Sequence, residues 1–449
     1  MNKLLVTLGL GVFAGALDLS VLSPALPALG RDLSVQTSDL AWVFTLYLLV
    51  TVVSIAVSST LADRYGRRPV YLACIALFAA GSIVAIVAPT YAIFLLARAL
   101  QALGAGGIFP VATAAIGDAV PPERRGAALG MVAGTWGLAA VIGPLAGGLI
   151  AHFVSWRWIF VPNVPLAAAV FLMARTTVPI VAPRSREPVD GVGLLLLCLG
   201  LLAVMDGLIA SRPVFGILGV GTLAGFALWE RGARYPIVPG ELVAEPQLAK
   251  TYALEIGIGI LEGSLFFIPA VLVGALDISY AAAGSIAALG ALTFVAVIPI
   301  SGRALDRAGS RDVLLVGTAL TEIGLAIFAL GFSSIWLAAL SMVVAGAGFG
   351  ALLGAPTRYI VTNQTQERTR ATAVGLLSQC LIVGQILGSS LAGGLIGMGA
   401  SEIAGYRHAY LAFCGVAFVA LILTATLKSQ QDERTEPLET GAPLATGSF

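Results

Sequence analysis

The chain has 449 residues, of which 58% are hydrophobic and only 11% are charged, and its formal net charge is +1. A soluble domain carries about 25% charged residues, so lipid is the expected solvent for much of this chain. The small net charge disfavours a nucleic-acid partner, and the four cysteines form no CxxC pair that would indicate a metal site.

Apolar stretches long enough to cross a bilayer follow one another along the sequence. A bilayer core is about 30 Å thick and needs about 20 helical residues. Candidate spans cover residues 4–29, 40–62, 69–89, 91–115, 126–151, 158–175, 191–210, 214–230, 250–273, 283–301, 312–332, 335–356, 371–397 and 408–427. The stretch 214–230 is short and glycine-rich, so a twelve-span alternative would drop it together with 191–210.

The basic residues predict the orientation of these spans. Lys and Arg collect in cytoplasmic loops, and most of the 25 Lys and Arg residues fall on one side when the N-terminus is placed inside. We therefore expect an integral protein of the cell membrane, plasma or inner, with both termini in the cytoplasm.

Several spans contain ionisable side chains, which are costly in lipid and are therefore functional candidates. They are Asp18 in the first span, Arg98 in the fourth, Glu255 and Glu262 in the ninth and Glu322 in the eleventh. Asp206 in the seventh span lies at its outer end, where we expect water to solvate it. Glu255 and Glu262 are two helical turns apart on one face, about 10 Å along the axis. Removing a carboxyl group from water favours its protonated form, so such groups can take up and release protons.

Two uncharged residues belong to the same candidate set. Gln101 follows Arg98 on the same helical face, and Tyr47 in the second span can hydrogen-bond near the same region, with core packing as its alternative. For Asp18 and Glu262, the alternative to proton or substrate handling is an ion pair that holds helices together, with Arg98 as the natural partner. Glu322 either faces a side opening or pairs inside the bundle.

A short charged loop, TLADRYGRRPVYL at 60–72, separates the second and third spans. Its candidate gating residues are Asp63, Arg64, Gly66, Arg67 and Arg68. Gly66 permits a tight turn, and Asp63 can pair with the arginines. Such ion pairs can latch two halves of the molecule on the cytoplasmic side; the alternative is that the arginines only set the topology.

The loop recurs 243 residues later, where LADRYGRR at 61–68 is matched by ALDRAGSR at 304–311. Two further echoes have nearly the same offset: ERRGAALG at 123–130 with ERTRATAVG at 367–375, and LAGGLI at 145–150 with LAGGLI at 391–396. Three echoes in one order predict two repeated six-span halves around a central site. They also predict a second, weaker latch at Asp306 and Arg307.

The fifth span contains GLAAVIGPLAGGLI at 137–150, in which small residues form one face. Gly143, Gly147 and Gly148 allow a neighbouring helix to approach closely, and Pro144 removes a backbone hydrogen bond and allows a kink. The stretch suits an interface that moves between the halves, with ordinary tight packing as the alternative.

Taken together, these stretches resemble the major facilitator superfamily, in its branch of drug:proton antiporters with fourteen helices. The loop at 60–72 resembles the superfamily's loop signature, and 137–150 resembles the fifth-helix motif of antiporters. Further resemblances to that branch are LDLSVLSPALP at 17–27, RALQALGAG at 98–106 with Ala102 where glycine is usual, WRWIFVPNVP at 156–165, and the inserted helices that end in FALWERGARYPIVP.

The resemblance implies an all-α membrane protein with two six-helix bundles plus two inserted helices, fourteen in all. In such a fold the first and fourth helices of each bundle line the cavity, which would bring Asp18, Arg98, Glu255 and Glu262 to it. The expected domains are 1–175 (N-terminal bundle), 176–190 (cytoplasmic linker), 191–230 (inserted helices), 231–249 (cytoplasmic loop), 250–427 (C-terminal bundle) and 428–449 (disordered cytoplasmic tail).

The predicted function is secondary active export of apolar or amphipathic compounds, cationic or neutral, by proton antiport with alternating access. We expect no enzymatic activity, since no catalytic constellation is present in the sequence. We also expect no cofactor or metal, since the proton gradient would drive transport. The expected partners are a small lipophilic substrate, protons and the bilayer, with the chain acting as a monomer. The alternatives are a lipid or hydrophobic-metabolite exporter of the same fold and, with less support, a sugar or nutrient symporter or an intramembrane enzyme.

Overall fold

The computed structural model describes residues 2–179, 190–234, 236–331, 334–366, 369–399 and 401–428. All regular elements within these ranges are helical, and fourteen helices among them are long and apolar enough to cross a membrane. We number them spans 1 to 14 in chain order: Lys3–Asp32, Asp39–Tyr65, Arg67–Val87, Tyr91–Ala119, Ala128–Phe153, Trp156–Thr177, Gly191–Ile209, Pro213–Glu230, Pro246–Leu276, Tyr280–Ala308, Ser310–Gly331, Ile335–Asn363, Thr372–Gly397 and Ile403–Ala425.

These spans confirm the all-helical, fourteen-span prediction, including the inserted pair that the twelve-span alternative omits. Spans 7 and 8 pack closely on each other, because Gly200 lies against Leu223 and Gly219 lies against Val204. Most of span 8 is exposed, as expected of a helix that faces lipid. Residues 180–189 of the expected linker and 429–449 of the expected tail lie outside the described residues.

Prolines divide three of the spans into two helical segments. A 3₁₀ turn at Ser23–Ala25 separates Asn2–Leu22 from Leu26–Asp32 in span 1. Span 9 breaks between Pro246–Leu265 and Ile268–Leu276, and span 12 breaks before Pro356–Asn363. Each segment after a break has a proline at its first or second position, where the missing backbone N–H is tolerated. Pro144, in contrast, lies inside a helix that runs from Pro122 to Phe153.

Equivalent turns support the internal repeat. Gly66 joins span 2 to span 3 with φ 93° and ψ 159°. Gly309 joins span 10 to span 11 with φ 85° and ψ 170°. Side chains disfavour these positive φ values, so glycine is needed at both corners. The two halves therefore share the local geometry that the repeated letters predicted.

The two ends of the molecule are packed differently. Spans alternate in direction, so the first residue of span 1 and the last of span 14 lie at one end, which we call the termini end; the opposite one is the far end. At the termini end, one buried apolar core is formed by residues 4–178 and another by residues 242–377. Toward the far end, buried cores contain residues of both halves: one joins Phe44 with Ala270, and another joins Leu48 with Ile386. The halves thus meet at the far end.

Candidate functional site

A fully buried ion pair occupies the centre of the first half. Arg98 Nη1 donates to Asp18 Oδ2 at 2.5 Å, and both side chains have 0% exposure. The other carboxylate oxygen of Asp18 accepts from Gln101 Nε2 and from Asn163 Nδ2, each at 2.9 Å. Three donors from spans 4 and 6 therefore hold one carboxylate of span 1, which is the condition under which a buried charge is tolerated.

Further contacts fix the arginine and the glutamine of this network. Arg98 Nη1 also donates to Gln101 Oε1 at 2.8 Å, and Gln101 Nε2 donates to Ser82 Oγ at 2.9 Å. The Arg98 guanidinium lies 4.1 Å from the ring centroid of Tyr47, and Arg98 Nε donates to the Val43 carbonyl at 3.5 Å. The structure thus brings the predicted Asp18, Arg98, Gln101 and Tyr47 into one cluster that involves spans 1, 2, 3, 4 and 6.

The sequence analysis missed two members of this network, Ser82 and Asn163. Asn163 lies inside WRWIFVPNVP, a stretch that was noted for its resemblance only. An amide near the start of an apolar helix was a signal that could have identified it, because a buried amide needs partners. Ser82 carried no such signal, since a serine in a span can satisfy itself on its own helix, as Ser82 also does with the Phe78 carbonyl.

The second half presents a different carboxylate. Glu262 lies on span 9 and accepts from Gln385 Nε2 of span 13 at 2.9 Å. Its side chain is partly exposed, whereas Asp18 is sealed. Among the described residues, no ion pair within 4.0 Å joins a Lys or Arg to Glu262. Within this part of the chain, Glu262 therefore differs from Asp18 in having an uncharged partner and no paired cation.

Glycines bring Gln385 to Glu262. A side chain at Gly259 would collide with the Leu381 carbonyl, and one at Gly263 would lie 2.6 Å from the Gln385 carbonyl. Two glycines one turn apart thus let the backbones of spans 9 and 13 approach closely. Gln385 is a further functional candidate that the sequence analysis did not name.

Glu255 shares the face of Glu262 on the unbroken helix Pro246–Leu265. Only 5% of Glu255 is exposed, and its Oε2 has no hydrogen-bond partner. Thr357 and Arg358, on the short helix at the end of span 12, are close enough to interact with its carboxyl group. The two glutamates therefore differ in exposure, because Glu262 is partly exposed and Glu255 is almost fully buried.

Glu322 lies apart from both clusters. It is in the middle of span 11, is partly exposed, and lies near Cys414 of span 14. Spans 11 and 14 contact each other in the second half. The structure does not bring Glu322 to the other candidates, and a role for it remains a prediction.

Ion pairs of the charged loop connect elements of the first half. Arg67 donates to Asp63 at 2.5 Å and to Asp118, at the end of span 4, at 3.1 Å. Arg68 Nε donates to the Val178 carbonyl after span 6 at 2.7 Å, and the exposed Arg64 lies 5.6 Å from the Tyr65 ring centroid. The loop therefore fastens four spans of one half, and a latch to the other half remains a prediction.

The repeated loop does not reproduce this arrangement. At the offset of 243 residues, Ser310 stands where Arg67 does and Val361 stands where Asp118 does. Asp306 and Arg307 are both exposed. The bridging arginine and its distant carboxylate are thus absent from the second copy, which retains the glycine turn together with Asp306, Arg307 and Arg311. A second latch there also remains a prediction.

The glycine-proline helix, span 5, lies between the halves. Side chains at Gly143 and Gly147 would collide with Ser20 and with the Val21 carbonyl of span 1. Gly148 lies against span 10, where its Cα neighbour is Gly284. Span 5 thus packs against its own half on one face and against the other half on the next, as an interface helix requires.

The same helix loses its neighbours toward the termini end. Gly137 still lies close to Val295 of span 10, but no atom is within 4 Å of a side chain placed at Gly134 or Gly130. The same is true of Gly302 on span 10. Spans 5 and 10 therefore touch in their far-end halves and separate toward the termini.

The far end is closed by what we call the aromatic closure, made of Ser23, Phe44, Phe266 and Phe267. Phe44 and Phe266 stack with ring centroids 4.6 Å apart, and Phe267 meets Phe44 edge-on at 6.3 Å. Ser23 Oγ donates to the Phe266 carbonyl at 2.5 Å. Because spans 1 and 2 supply one side and span 9 the other, the closure joins the two halves.

Comparisons with known proteins agree with this geometry. Residues 8–236 and 256–447 match the family model described as Major Facilitator Superfamily. An uncharacterized transporter of that type from Bacillus subtilis, YfiU, is 30% identical over 94% of this chain and 85% of its own length. A multidrug resistance protein B homolog of Mycobacterium tuberculosis is 30% identical over 73% of this chain and 64% of its own length.

Other similar proteins extend the comparison. The efflux pump dotC of Dothistroma septosporum is 31% identical over 52% of this chain and 43% of its own length. A crystal structure of a D-xylose–proton symporter superposes with a TM-score of 0.74 at 14% identity, over 97% of this chain and 99% of the other. An inward-facing bacterial homolog of the human lysosomal transporter Spinster gives a TM-score of 0.66 at 17% identity, over 94% and 96%. At these identities the structural likeness shows the fold alone.

Proposed function

The chain belongs to the major facilitator superfamily, and we propose that it is a secondary active exporter of apolar or amphipathic compounds, cationic or neutral, that works by proton antiport. The observation that carries this proposal is Glu262, a partly exposed carboxylate deep in span 9 whose hydrogen-bond partner, Gln385, is uncharged. Members of this family are transporters, so the chain is an integral membrane transporter and not an enzyme.

Exchange follows from competition for one carboxylate. Without a fixed cation beside it, Glu262 can hold a proton or a cationic group of the cargo, but binding one weakens binding of the other. A neutral cargo would compete through the hydrogen bonds of Glu262 and Gln385 instead. Alternating access then turns this competition into exchange across the membrane, with the proton gradient as the driving force and without a cofactor.

The packing of the two ends supports a state that is open at the termini end. With the orientation predicted by the basic residues, the termini end is cytoplasmic, and Glu262 would receive its cargo from the cytoplasm. Spans 5 and 10 separate between Gly137 and the termini end, which widens the path from the cytoplasm to Glu262. An exporter loads its cargo in such a state.

Names of two similar proteins, a multidrug resistance protein B homolog and an efflux pump, add support for export. The fold also occurs in a D-xylose–proton symporter, so the fold by itself does not select the cargo. The uncharged amide of Gln385 beside Glu262 favours a lipophilic compound over a sugar, since a sugar site needs many hydrogen-bond partners.

The proposal is tested in sealed vesicles that contain the purified chain and an internal pH dye. Amphipathic cations, lipids and sugars are added in turn, and proton flux is recorded. We expect flux with amphipathic cations, loss of flux in Glu262→Gln, and normal flux in Glu241→Gln, whose carboxyl is exposed on a short helix outside the spans.

Other outcomes would redirect the proposal. Flux driven by lipids alone would make the chain a lipid exporter of the same fold, and flux driven by sugars would make it a symporter. Unchanged proton flux in Glu262→Gln would remove Glu262 from the mechanism.

A further inference from the structure

The aromatic closure is built where the breaks of two equivalent spans meet. Ser23 lies in the 3₁₀ turn that interrupts span 1, and Phe266 lies between the two helices of span 9. Their hydrogen bond joins residues 243 positions apart, which is the offset of the repeated loop. Residues that are equivalent in two related halves can touch only near the axis that relates them. The closure therefore lies on the internal two-fold axis.

Phe44 is the part of the closure that span 2 contributes. It is fully buried, and its ring lies nearly parallel to that of Phe266, with an interplanar angle of 16°. Stacked aromatic pairs depend on their offset and angle, so a small shift of the backbone at Phe44 weakens this contact. Span 2 can thus open or close the far end by a short movement.

The same turn of span 2 is held by the buried ion pair. The Val43 carbonyl, adjacent to Phe44, accepts from Arg98 Nε at 3.5 Å. Tyr47, one turn later, places its ring 4.1 Å from the Arg98 guanidinium. One helical turn of span 2 therefore supplies Phe44 to the aromatic closure and also makes two contacts with Arg98.

We propose that this turn couples the charge state of Asp18 to the aromatic closure, with Val43 and Tyr47 as positioning residues. When Asp18 is ionised, it holds Arg98 against Val43 and Tyr47, and Phe44 stays stacked on Phe266. When a proton binds to Asp18, Arg98 loses its anionic partner and shifts within the network. The turn moves with Arg98, Phe44 leaves Phe266, and the far end opens. This inference rests on the proposed exchange of protons for cargo.

The groups that face Asp18 are few and come from each neighbouring span. Arg98 is the charged group and Tyr47 the other titratable one, while Gln101, Asn163 and Ser82 supply neutral partners. Asp18 has one charged partner, so adding a proton to its carboxylate removes the attraction that holds Arg98. The neutral donors can still hydrogen-bond to the acid.

The test measures the width of the far end directly. Spin labels are attached at Gln36→Cys and Ser285→Cys, two exposed positions near the far end on opposite halves, after the four native cysteines are replaced. Pulsed electron spin resonance then gives the distance between the labels. We expect Asp18→Asn, which mimics the protonated acid, to raise the ratio of long to short distances by about fivefold or more.

Two variants test the coupling itself. Phe44→Ala should already show the long distance with Asp18 intact, and Asp18→Asn should add nothing to it. Tyr47→Leu should reduce the lengthening that Asp18→Asn causes, because it removes one of the two contacts that link the turn to Arg98 and leaves only the one to the Val43 carbonyl. Phe94→Leu is the matched control, since Phe94 is a buried aromatic of the same half that packs on Trp156 and Phe160. With Phe94→Leu, Asp18→Asn should lengthen the distance between the labels as much as it does in the parent protein.

The inference is overturned if Asp18→Asn leaves the distance unchanged, or if Tyr47→Leu responds to Asp18→Asn as the parent does. Should Asp18→Asn fail to fold, Asp18→Ser, which also removes the carboxylate, replaces it, and the same two variants are compared. The distances are read without transport, so this failure is separate from failure of the proposed function. Proton-coupled export with an unresponsive far end would refute the coupling alone, and a responsive far end without proton flux would refute the exchange alone.

Discussion

At the residue scale, the membrane carboxylates of the two halves differ in whether a fixed cation compensates them. Asp18 is paired with Arg98 and sealed, while Glu262 has an amide partner and is partly exposed. A sealed pair stabilises one arrangement of helices and can change only when the protein moves or a proton arrives. An open carboxylate can bind cargo directly. The two residues therefore suit different tasks in one cycle.

The ion pair makes a prediction about stability. Asp18→Asn leaves Arg98 as a buried charge without its anion, and breaking a buried pair in this way costs about 3–5 kcal/mol. Combining it with Arg98→Gln removes the orphaned charge, so the double variant should be more stable than Asp18→Asn alone. Unfolding free energies of the detergent-solubilised protein measure both changes.

A matched pair elsewhere provides the control for this cycle. Asp206 and Arg212 lie 3.5 Å apart at the far end, and most of the Arg212 side chain is exposed. Such a pair contributes about 0–1 kcal/mol, so Asp206→Asn should change the unfolding free energy little. Equal losses of unfolding free energy for Asp206→Asn and Asp18→Asn would contradict the claim that the buried pair stabilises the fold more than the exposed pair does.

Sequence patterns could identify part of this site. Asp18 and Arg98 were predictable, because a charged residue in an apolar span is costly unless it is paired or functional. Gln101 was predictable because it shares the helical face of Arg98. Their exact partners were not, since Asn163 and Ser82 reach Asp18 and Gln101 from spans that are distant in the chain. Which of several carboxylates is sealed depends on tertiary packing, which local patterns do not encode.

At the element scale, glycines decide which helix faces touch. Gly143 and Gly147 meet span 1, and Gly148 meets Gly284 of span 10, while Gly134 faces open space on the same helix. A helix with small residues at such points can pack against two neighbours at backbone distance. Span 5 is thus part of its own half and also part of the contact between halves.

Span 5 gives a prediction with an internal control. Gly147→Ala places a methyl group against the Val21 carbonyl, a backbone atom that cannot move aside alone, so we expect a lower melting temperature and weaker transport. Gly134→Ala adds the same methyl group where nothing lies within 4 Å. It should be neutral or should stabilise the helix by up to about 1 kcal/mol.

Thermal unfolding followed by tryptophan fluorescence compares the two variants. Equal melting temperatures for Gly147→Ala and Gly134→Ala would contradict the close contact between spans 1 and 5. A lower melting temperature for Gly134→Ala than for the native protein would instead show that the space beside Gly134 is occupied.

Element boundaries were largely predictable, whereas element contacts were not. Proline positions such as Pro24 and Pro269 explain why spans 1 and 9 break, since a proline interrupts the backbone ladder. Nothing in the local sequence says that the two breaks face each other, because that depends on the axis between the halves. The charged loop shows the same limit, since its arginines were predictable as a cluster but their partner Asp118 was not.

At the scale of the whole molecule, the packing describes a transporter closed at one end. The far-end core contains residues of both halves, and the termini-end cores stay within one half. Fourteen spans and two repeated halves could be predicted from hydropathy and from the repeated loop. The closed end could not, because both states of an alternating transporter use the same sequence and differ by only a few kcal/mol.

The two proposals assign different tasks to the two halves. Glu262 in the second half is proposed to bind cargo, and the Asp18–Arg98 pair in the first half is proposed to hold the far end closed. Binding at one and protonation at the other can then be ordered in a cycle, because the closure joins both halves. The account depends most on the first of these steps, in which cargo and proton compete at Glu262.

Proton release on cargo binding tests this step most directly. Tetraphenylphosphonium is titrated into the detergent-solubilised protein in buffers of different ionisation enthalpy, and calorimetry gives the number of protons released for each cation bound. The account predicts release of up to about one proton in the native protein and none in Glu262→Gln. Binding without proton release in the native protein, or the same release from Glu262→Gln, would contradict it.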